Sequence, residues 1–245
     1  MTRPGRLERE IEFHRGISDR AEIIWNWDSP SGRRRAARRS EIFAREAGLR
    51  PGRSALEVGC GTGIFLQVAA STGADIVALD LSADLLAQAR KRTASAANVR
   101  LSLGNAEQMP FKGGSFDAAY GSSILHHLNI DAALAEIFRV LRPGGRIAFA
   151  EPNIWNPQVA VMFHLGLTKK YFGVSPDEMA FSRFRAARAL RRAGFTAVVI
   201  KPFDFLHPAT PAGATASMSA IGRMLEAIPL VREIAGSMMI TARRP

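Results

Sequence analysis

The stretch Leu56-Glu57-Val58-Gly59-Cys60-Gly61-Thr62-Gly63 decides the fold of this chain. A short apolar run, residues 55–58, leads into three glycines at alternate positions. Glycines placed directly after a strand permit a tight turn and let backbone N–H groups approach a ligand closely. A helical pattern at residues 64–71 follows, so the positive end of that helix points at the same place. The stretch therefore predicts a strand, a ligand-binding loop and a helix.

Beyond this loop, short apolar runs alternate with helical ones, which is typical of βαβ units and a parallel sheet. Strands are predicted at residues 55–58, 76–79, 99–103, 116–120, 147–150, 196–200 and 237–242. Helices are predicted at 11–27, 33–47, 64–71, 83–92, 130–141 and 182–193, with Ser82 as an N-cap. The breaker Arg142-Pro143-Gly144-Gly145 separates the last helix of the core from the fifth strand. The predicted fold class is α/β, a doubly wound, Rossmann-like, seven-stranded and mostly parallel sheet.

Composition limits the kinds of protein that the chain can be. Its 245 residues suffice for one large domain. The single cysteine, Cys60, excludes an internal disulfide and a Cys-rich metal site. The N-terminus lacks the apolar stretch of a signal peptide, and no apolar run reaches the roughly 20 residues of a membrane span. A cytoplasmic location is therefore predicted.

The net charge of +11 comes from the two flanks. Residues 1–53 hold 13 basic and 8 acidic side chains, and residues 182–245 hold 10 and 3. Basic surfaces suit anionic partners. Arg greatly outnumbers Lys and Ala is abundant, however, a bias that GC-rich coding DNA produces without selection for binding. A solvated surface is favoured over a docking face, and the cluster Arg33–Arg39 is most simply a solvated helix face.

Four further motifs follow the glycine loop in order. They are Asp80 at the end of the second strand, Asn105-Ala106-Glu107-Gln108-Met109-Pro110-Phe111, Ser115-Phe116-Asp117 and Leu141-Arg142-Pro143-Gly144-Gly145-Arg146. With the loop they resemble the class I S-adenosylmethionine-dependent methyltransferases, most of all the group that includes ubiquinone, menaquinone and natural-product methyltransferases. The motifs span residues 55–151, about 40% of the chain. A dinucleotide fingerprint does not fit, because its third glycine would fall on Ile64.

The resemblance implies S-adenosylmethionine as the cofactor and no metal. Glu57 and the glycine-loop backbone would hold the methionine part, and Asp80 would accept both ribose hydroxyls. Asn105 stands where the family usually has Asp to accept the adenine amino group. Its amide oxygen can still accept that hydrogen bond, but without the negative charge of a carboxylate. The alternative is that Asn105 only belongs to an ordinary turn. The expected cofactor-binding residues are Glu57, Gly59, Cys60, Gly61, Gly63, Asp80, Leu81, Asn105, Ala106, Glu107 and Gly121.

Methyl transfer is an in-line displacement that gains most from positioning and desolvation. A general base is needed only where the acceptor must lose a proton. The candidates, in order of preference, are Glu151, His127 and His126, which follow the fifth and fourth strands. The alternatives are a capping role for Glu151, and packing and solvation for the two histidines.

The resemblance also divides the chain. Residues 1–53 are predicted to form an N-terminal helical cap or lid, with a break at 28–32 between its two helices. Residues 54–245 form the methyltransferase domain, with a cofactor half at 54–151 and a substrate-side half at 152–245. A C-terminal insertion, 201–236, separates the last two strands. The apolar run 155–172 and the Met-rich segment 218–239 are predicted either to wall an apolar pocket or only to pack helix on helix.

The absence of particular motifs and residues argues against several classes of methyl acceptor. Tyr120-Gly121-Ser122 at the end of the fourth strand is not the Asn/Asp-Pro-Pro-Tyr motif of enzymes that methylate amines of DNA bases. Methylation at carbon 5 of cytosine needs a thiolate, and Cys60 lies inside the loop. A small phenolic, quinone-like, isoprenoid or other natural-product acceptor is expected, methylated at O, N or C. The alternatives are RNA or a lipid headgroup, and a non-catalytic cofactor-binding subunit. A homodimer stays open, and nucleic acid is disfavoured as a partner.

Overall fold

The centre of the protein is a seven-stranded sheet. The computed structural model describes residues 5–164 and 180–245. Its strands are β1 Ser54–Val58, β2 Asp75–Asp80, β3 Val99–Leu103, β4 Phe116–Ser122, β5 Leu141–Pro152, β6 Thr196–Phe203 and β7 Ser237–Arg243. Their order is β3-β2-β1-β4-β5-β7-β6. The strands β7 and β5 pair antiparallel, as do β7 and β6, whereas the other pairings are parallel. The predicted fold class is confirmed.

Helices cover both faces of this sheet. Within the described residues the helices are α1 Arg6–Ile17, α2 Ala21–Ile24, α3 Pro30–Ala47, α4 Leu66–Ser71, α5 Ala83–Arg92, α6 Ile130–Val140, α7 Pro157–His164, α8 Arg183–Arg192, α9 Thr215–Ala227 and α10 Pro229–Arg232. One apolar cluster joins the sheet to α3, α4 and α5 through Phe43, Leu66 and Leu86. A second joins its other face to α6 and α8 through Ile137 and Leu190. The sheet is therefore doubly wound, with a core on each side.

The junction between α2 and α3 is packed tightly. The predicted break at 28–32 is wrong for residues 30–32, which form the first turn of α3. Ser29 is the N-cap, and its Oγ accepts a hydrogen bond from the Gly32 N–H at 2.9 Å. A Cβ on Gly32 would collide with the Asn26 carbonyl oxygen. The predicted N-cap Ser82 of α5 is confirmed, since it accepts from the Leu85 N–H at 3.3 Å.

The largest differences between predicted and observed boundaries are in the first helix and the fifth strand. The helix predicted at 11–27 begins earlier and is interrupted, because α1 ends at Ile17 and a short 3₁₀ turn precedes α2. The fifth strand begins at Leu141 rather than at residue 147. Leu141 pairs with Phe116 and Arg146 pairs with Ala118, so residues 142–145 bulge out of the ladder. A bulge of this kind lets the breaker sequence lie inside a strand.

The predicted insertion between the last two strands is confirmed, and it carries α9 and α10. Of the predicted apolar run 155–172, residues 165–172 lie outside the described residues. Among the helices that the structure describes, none has the length and hydropathy to cross a bilayer.

Candidate functional site

A cavity of about 550 Å³ lies at the carboxyl end of the sheet. Its walls include the glycine loop, the ends of β2 and β4, and parts of α1, α3 and α7. The strand order reverses between β1 and β4, and open α/β sheets bind ligands at such a switch point. Seven of the expected cofactor-binding residues line this cavity: Gly59, Cys60, Gly61, Asp80, Leu81, Asn105 and Ala106.

The glycine loop keeps its shape through left-handed backbone angles. The φ angles of Gly59, Gly61 and Gly63 are 68°, 52° and 78°, a region that side chains disfavour. A Cβ on Gly59 would come within 2.5 Å of the Ile124 side chain. Gly59 and Gly61, which line the cavity, therefore leave the backbone of the loop open toward it. Gly59 lines that cavity, whereas Gly63 supports the loop from outside the wall.

Asp80 anchors the loop from the end of β2. Its Oδ2 accepts from the Gly61 N–H at 2.7 Å, and its Oδ1 accepts from the Ser82 N–H at 2.9 Å. Burial raises the pKa of Asp80, while these two N–H groups and the nearby His14 act in the opposite direction. Each carboxylate oxygen has a further lone pair. The carboxylate can therefore hold the loop and still accept two hydroxyls from a ligand.

Glu57 lies beneath the loop rather than on the cavity wall. It is 1% exposed, and its Oε2 accepts from the Tyr120 hydroxyl at 2.8 Å. Its Oε1 has no hydrogen-bond partner within residues 5–164 and 180–245. Burial raises the pKa of Glu57 to about 8, although the Tyr120 bond opposes the shift. A buried acceptor oxygen without a donor suits a ligand that brings a positive charge near it.

Other expected cofactor residues have structural roles. The Asn105 Oδ1 accepts from the Glu107 N–H at 2.8 Å, so that amide stabilises its own turn. Glu107 lies off the wall, where it pairs with Arg6 and accepts from the Asn129 N–H. Gly121 also lies off the wall, and a Cβ there would approach the Val58 carbonyl oxygen to 2.5 Å. The absence of a side chain at Gly121 lets β4 pack close to β1.

The three expected catalytic residues form two layers. Glu151 is 0% exposed and does not reach the cavity. Its Oε1 accepts from the N–H groups of Ile124 and Leu125 at 3.0 and 2.9 Å. Its Oε2 lies 2.7 Å from the His126 Nδ1. His126 and His127 both line the cavity. This placement does not suit direct contact between Glu151 and an acceptor; it puts the carboxylate behind an imidazole.

The N-terminal helices lie over the loop and the histidines. His14 and Glu10 line the cavity, and the Glu10 Oε2 lies 3.3 Å from the His127 Nδ1. Burial, with repulsion from His127, lowers the pKa of His14. The ligand atoms of these three residues lie within 4.8 Å of one another, a spacing that could accommodate a metal ion. A positive charge is already close, because Arg6 donates to the His127 carbonyl oxygen at 2.6 Å.

The two tryptophans of this segment have different surroundings. A Cβ on Gly61 would lie 3.6 Å from the Trp25 ring, so Trp25 covers the glycine loop. Trp27 packs edge-on against Phe65 at 5.6 Å between ring centroids and belongs to a core cluster, while also lining the cavity. Tyr120 lies in the core.

Two arginines of α3 belong to the site although the sequence did not predict them there. The solvated-face interpretation is wrong for Arg39, which is 2% exposed, and for Arg35, which lines the cavity. Arg39 donates to Ser122, Asp204 and Ser237 at 2.9, 3.2 and 2.6 Å. The Arg35 Nε donates to Asp204 at 2.9 Å. The missed signal is spacing, since Arg39 falls on the same face of α3 as the buried Ala36 and Phe43.

The surroundings of Arg39 and Asp204 shift the pKa of both groups. Burial and repulsion from Arg35 lower the pKa of Arg39 to about 10. Burial opposes the ionisation of Asp204, but Arg35 and Arg39 together keep its pKa below the ordinary value. Arg35 and Arg39 share the single negative charge of Asp204, so the end of the cavity near Asp204 keeps a positive charge.

Comparisons with known proteins agree with this geometry. A family model described as a methyltransferase domain matches residues 56–149. The demethylmenaquinone methyltransferase of Parafrankia sp. (strain EAN1pec) is 35% identical over 189 residues, which cover 63% of this chain and 74% of that protein. A 37.1 kDa protein encoded in transposon TN4556 of Streptomyces fradiae is 34% identical over 160 residues, which cover 62% of this chain and 46% of that protein. The chain thus spans about half the length of that relative.

Among solved structures, the [4+2]-cyclase SpnF superposes with a TM-score of 0.72 at 20% identity, covering 100% of this chain and 98% of the other. This likeness shows the fold alone.

The fold and the cavity define an α/β protein with a ligand-binding site at the switch point of its sheet. With the relatives above, the chain belongs to the class I S-adenosylmethionine-dependent methyltransferase family, and its cofactor is S-adenosylmethionine. The residues present fit this cofactor. The buried Glu57 oxygen that has no donor suits its positively charged part, and the glycines, which have no Cβ atoms, leave room for its bulk.

Proposed function

We propose that this chain methylates a small, largely apolar acceptor whose attacking atom carries a proton, as a phenol or quinol does. One observation carries the proposal: His126 lines the cavity while the buried Glu151 faces its Nδ1. A carboxylate that accepts from Nδ1–H fixes the tautomer in which Nε2 has the lone pair. His126 is then the base that removes the proton of the acceptor, and Glu151 is a positioning residue.

When bound, S-adenosylmethionine supplies an electrophilic methyl group on a sulfonium. Glu57 would hold the ammonium group through its Oε1 from beneath the loop, the glycine loop would offer backbone N–H groups, and Asp80 would accept the ribose hydroxyls. Arg35 is the partner for the methionine carboxylate, since its Nη groups make no hydrogen bond to the residues that the structure describes. Arg guanidinium groups bind carboxylates in a bidentate manner.

The acceptor side of the cavity is mostly apolar. Met162 and Phe163 of α7 line it together with Leu206, which follows β6. Polar groups are fewer there, and they include Gln158 and His207, whose side-chain nitrogens lie 2.7 Å apart. An apolar wall with a few polar groups is typical of small-molecule sites. Residues of the predicted cap, among them Leu7, His14 and Trp25, also line the cavity, which supports a role of the cap as a cover.

The test is turnover of methyl-labelled S-adenosylmethionine with a panel of phenols, naphthoquinols, isoprenoids and RNA. We expect labelled product and equimolar S-adenosylhomocysteine with an apolar phenol or quinol. Binding of the cofactor without turnover on any member would favour a non-catalytic subunit. Labelled RNA would move the acceptor to that class. The cytoplasmic location and the homodimer remain predictions.

Asp80→Ala should weaken binding of S-adenosylhomocysteine about 10- to 150-fold, which corresponds to the roughly 1.5–3 kcal/mol of hydrogen bonds to a charged group. The variant loses the acceptor for the ribose hydroxyls and the bond that holds Gly61. Calorimetry measures the change. 5′-Methylthioadenosine, which retains the ribose but lacks the amino-acid part, should lose affinity by a similar factor. Unchanged affinity in the folded variant would contradict the ribose assignment.

Arg35→Gln is the matched variant for the other end of the cofactor. Affinity for S-adenosylhomocysteine should fall about 10- to 100-fold, because a charge-assisted bidentate contact is lost. Affinity for 5′-methylthioadenosine should stay within about twofold, since that nucleoside has no carboxylate. Equal losses for both ligands would mean that Arg35 acts only through packing. Unchanged affinity for both, with a raised KM for the acceptor, would place an acceptor anion at Arg35 instead.

A further inference from the structure

Helix α9 turns its large apolar side chains away from the protein. The residues on its buried side are small, namely Thr215, Ser219 and Gly222. The residues on its outer side are larger and exposed, namely Met218, Ile221 and Met224. An ordinary surface helix has the reverse arrangement, with the apolar stripe against the core. The helix therefore presents an apolar face that its own domain does not cover.

Exposed apolar side chains also follow in the turn after α9. Ile228 is exposed, and Leu230 of α10 is 85% exposed, while Met224 is 70% exposed. We refer to Met218, Ile221, Met224, Ile228 and Leu230 as the insertion surface. Contiguous exposed apolar side chains of this kind mark places where a protein binds a partner or a membrane.

The charges around the insertion surface are basic. Glu226 is held by both Nη groups of Arg38 at 2.7 and 2.5 Å, and Glu233 is held by Arg183 at 2.9 Å. These two carboxylates, the acids of residues 205–236, are thereby neutralised. Arg223 is exposed and donates to the Ser219 hydroxyl. Arg34, also exposed, shares a small hollow with Ser219 and Gly222.

The insertion surface is connected to the cavity at both ends. His207, Pro208 and Ala209, which precede α9, line the cavity. Gly236 and Ser237, which follow α10, line it too. The segment that carries the insertion surface therefore begins and ends at the cavity wall.

We propose that the insertion surface docks on the face of an anionic lipid bilayer. Met224 and Leu230 enter the boundary between headgroups and acyl chains, and Arg34 and Arg223 meet lipid phosphates. Interfacial helices combine an apolar face with basic residues in this way. A second copy of the chain fits less well, because a two-fold contact would bring like-charged Arg223 residues together while Glu226 stays bound to Arg38.

The test is flotation of the full chain with phosphatidylcholine vesicles, with and without 30% phosphatidylglycerol. The chain should bind the anionic vesicles at least about tenfold more strongly. Met224→Ser/Leu230→Ser should reduce that binding about tenfold or more, since two apolar side chains no longer leave water. Arg34→Gln/Arg223→Gln should reduce it about 25-fold on anionic vesicles, about fivefold for each arginine, and little on neutral ones.

Val199→Ser is the control, because Val199 is 58% exposed on the edge strand β6; it should bind vesicles like the unsubstituted chain. Calorimetry with S-adenosylhomocysteine checks that each variant is folded, and Leu230→Ser alone serves if the double variant is not. Absence of binding to anionic vesicles would overturn the proposal, as would equal binding by the serine variant. A dimer in ultracentrifugation that dissociates in Met224→Ser/Leu230→Ser would also overturn it, by making a second copy the occupant.

Discussion

Glu151→Gln should lower kcat about 10²–10⁴-fold, the range for loss of a correctly positioned general base. Glutamine can still accept from the N–H groups of Ile124 and Leu125 through its oxygen. Its amide, however, would donate to the His126 Nδ1, so the proton of the imidazole moves to Nε2. His126 then has no lone pair toward the cavity. Steady-state kinetics with the acceptor found in the labelled screen measures the effect, and cofactor affinity should change less than about twofold.

Three companion variants separate positioning from simple structural support. His126→Gln should lose as much activity as Glu151→Gln, and the double variant should lose no more, because the two residues act as a unit. The acid limb of the kcat profile against pH should disappear in His126→Gln. His127→Gln should retain activity within about tenfold. Full activity of His126→Gln beside an impaired Glu151→Gln would reject the base assignment.

Glu57→Gln should stabilise the cofactor-free protein at pH 8 by up to roughly 4–5 kcal/mol. The pKa of Glu57 is about 8 in the folded state, against 4.5 for a glutamate in water. Between these values the folded protein binds more protons than the unfolded chain, so the free energy of unfolding falls as the pH rises. Glutamine removes this dependence and can still accept from the Tyr120 hydroxyl.

Urea unfolding of both proteins between pH 4.5 and 8.5 measures the difference. The stability gain of the variant should be small near pH 4.5 and should grow up to pH 8. Glu41→Gln changes the net charge by the same amount at an exposed position and should change stability by less than about 0.5 kcal/mol. A difference independent of pH would contradict the raised pKa. The same variant should bind S-adenosylhomocysteine more weakly, which would link the buried carboxylate to the cofactor.

The sheet and the cofactor loop could be predicted because their signals are local. Apolar runs mark the buried strands. The glycines at 59, 61 and 63 mark the loop, because each has a positive φ angle that glycine adopts readily. The β5 boundary could not be predicted, since residues 142–145 are tolerated in the strand only through its pairing with β4. That pairing is a long-range property, which local sequence does not contain.

The catalytic layer shows the same limit. The sequence indicated that Glu151 and His126 lie at neighbouring strand ends, but not which of them faces the cavity. That order depends on the two N–H groups at 124 and 125, which draw the carboxylate inward. The role of Arg39 depends on Asp204 and Ser237, which lie far away in the chain.

The Arg39 contacts have a consequence for synthesis of the protein on the ribosome. Its helix is made before Asp204 and Ser237, which lie 165 and 198 residues further along the chain. Chains grow at about 5–20 residues per second, so the roughly 200 intervening residues take about 10–40 seconds. During that time the guanidinium cannot be buried with its partners. The nascent chain can pair β1 to β5 but cannot complete the cavity wall, which closes only when the last strand arrives.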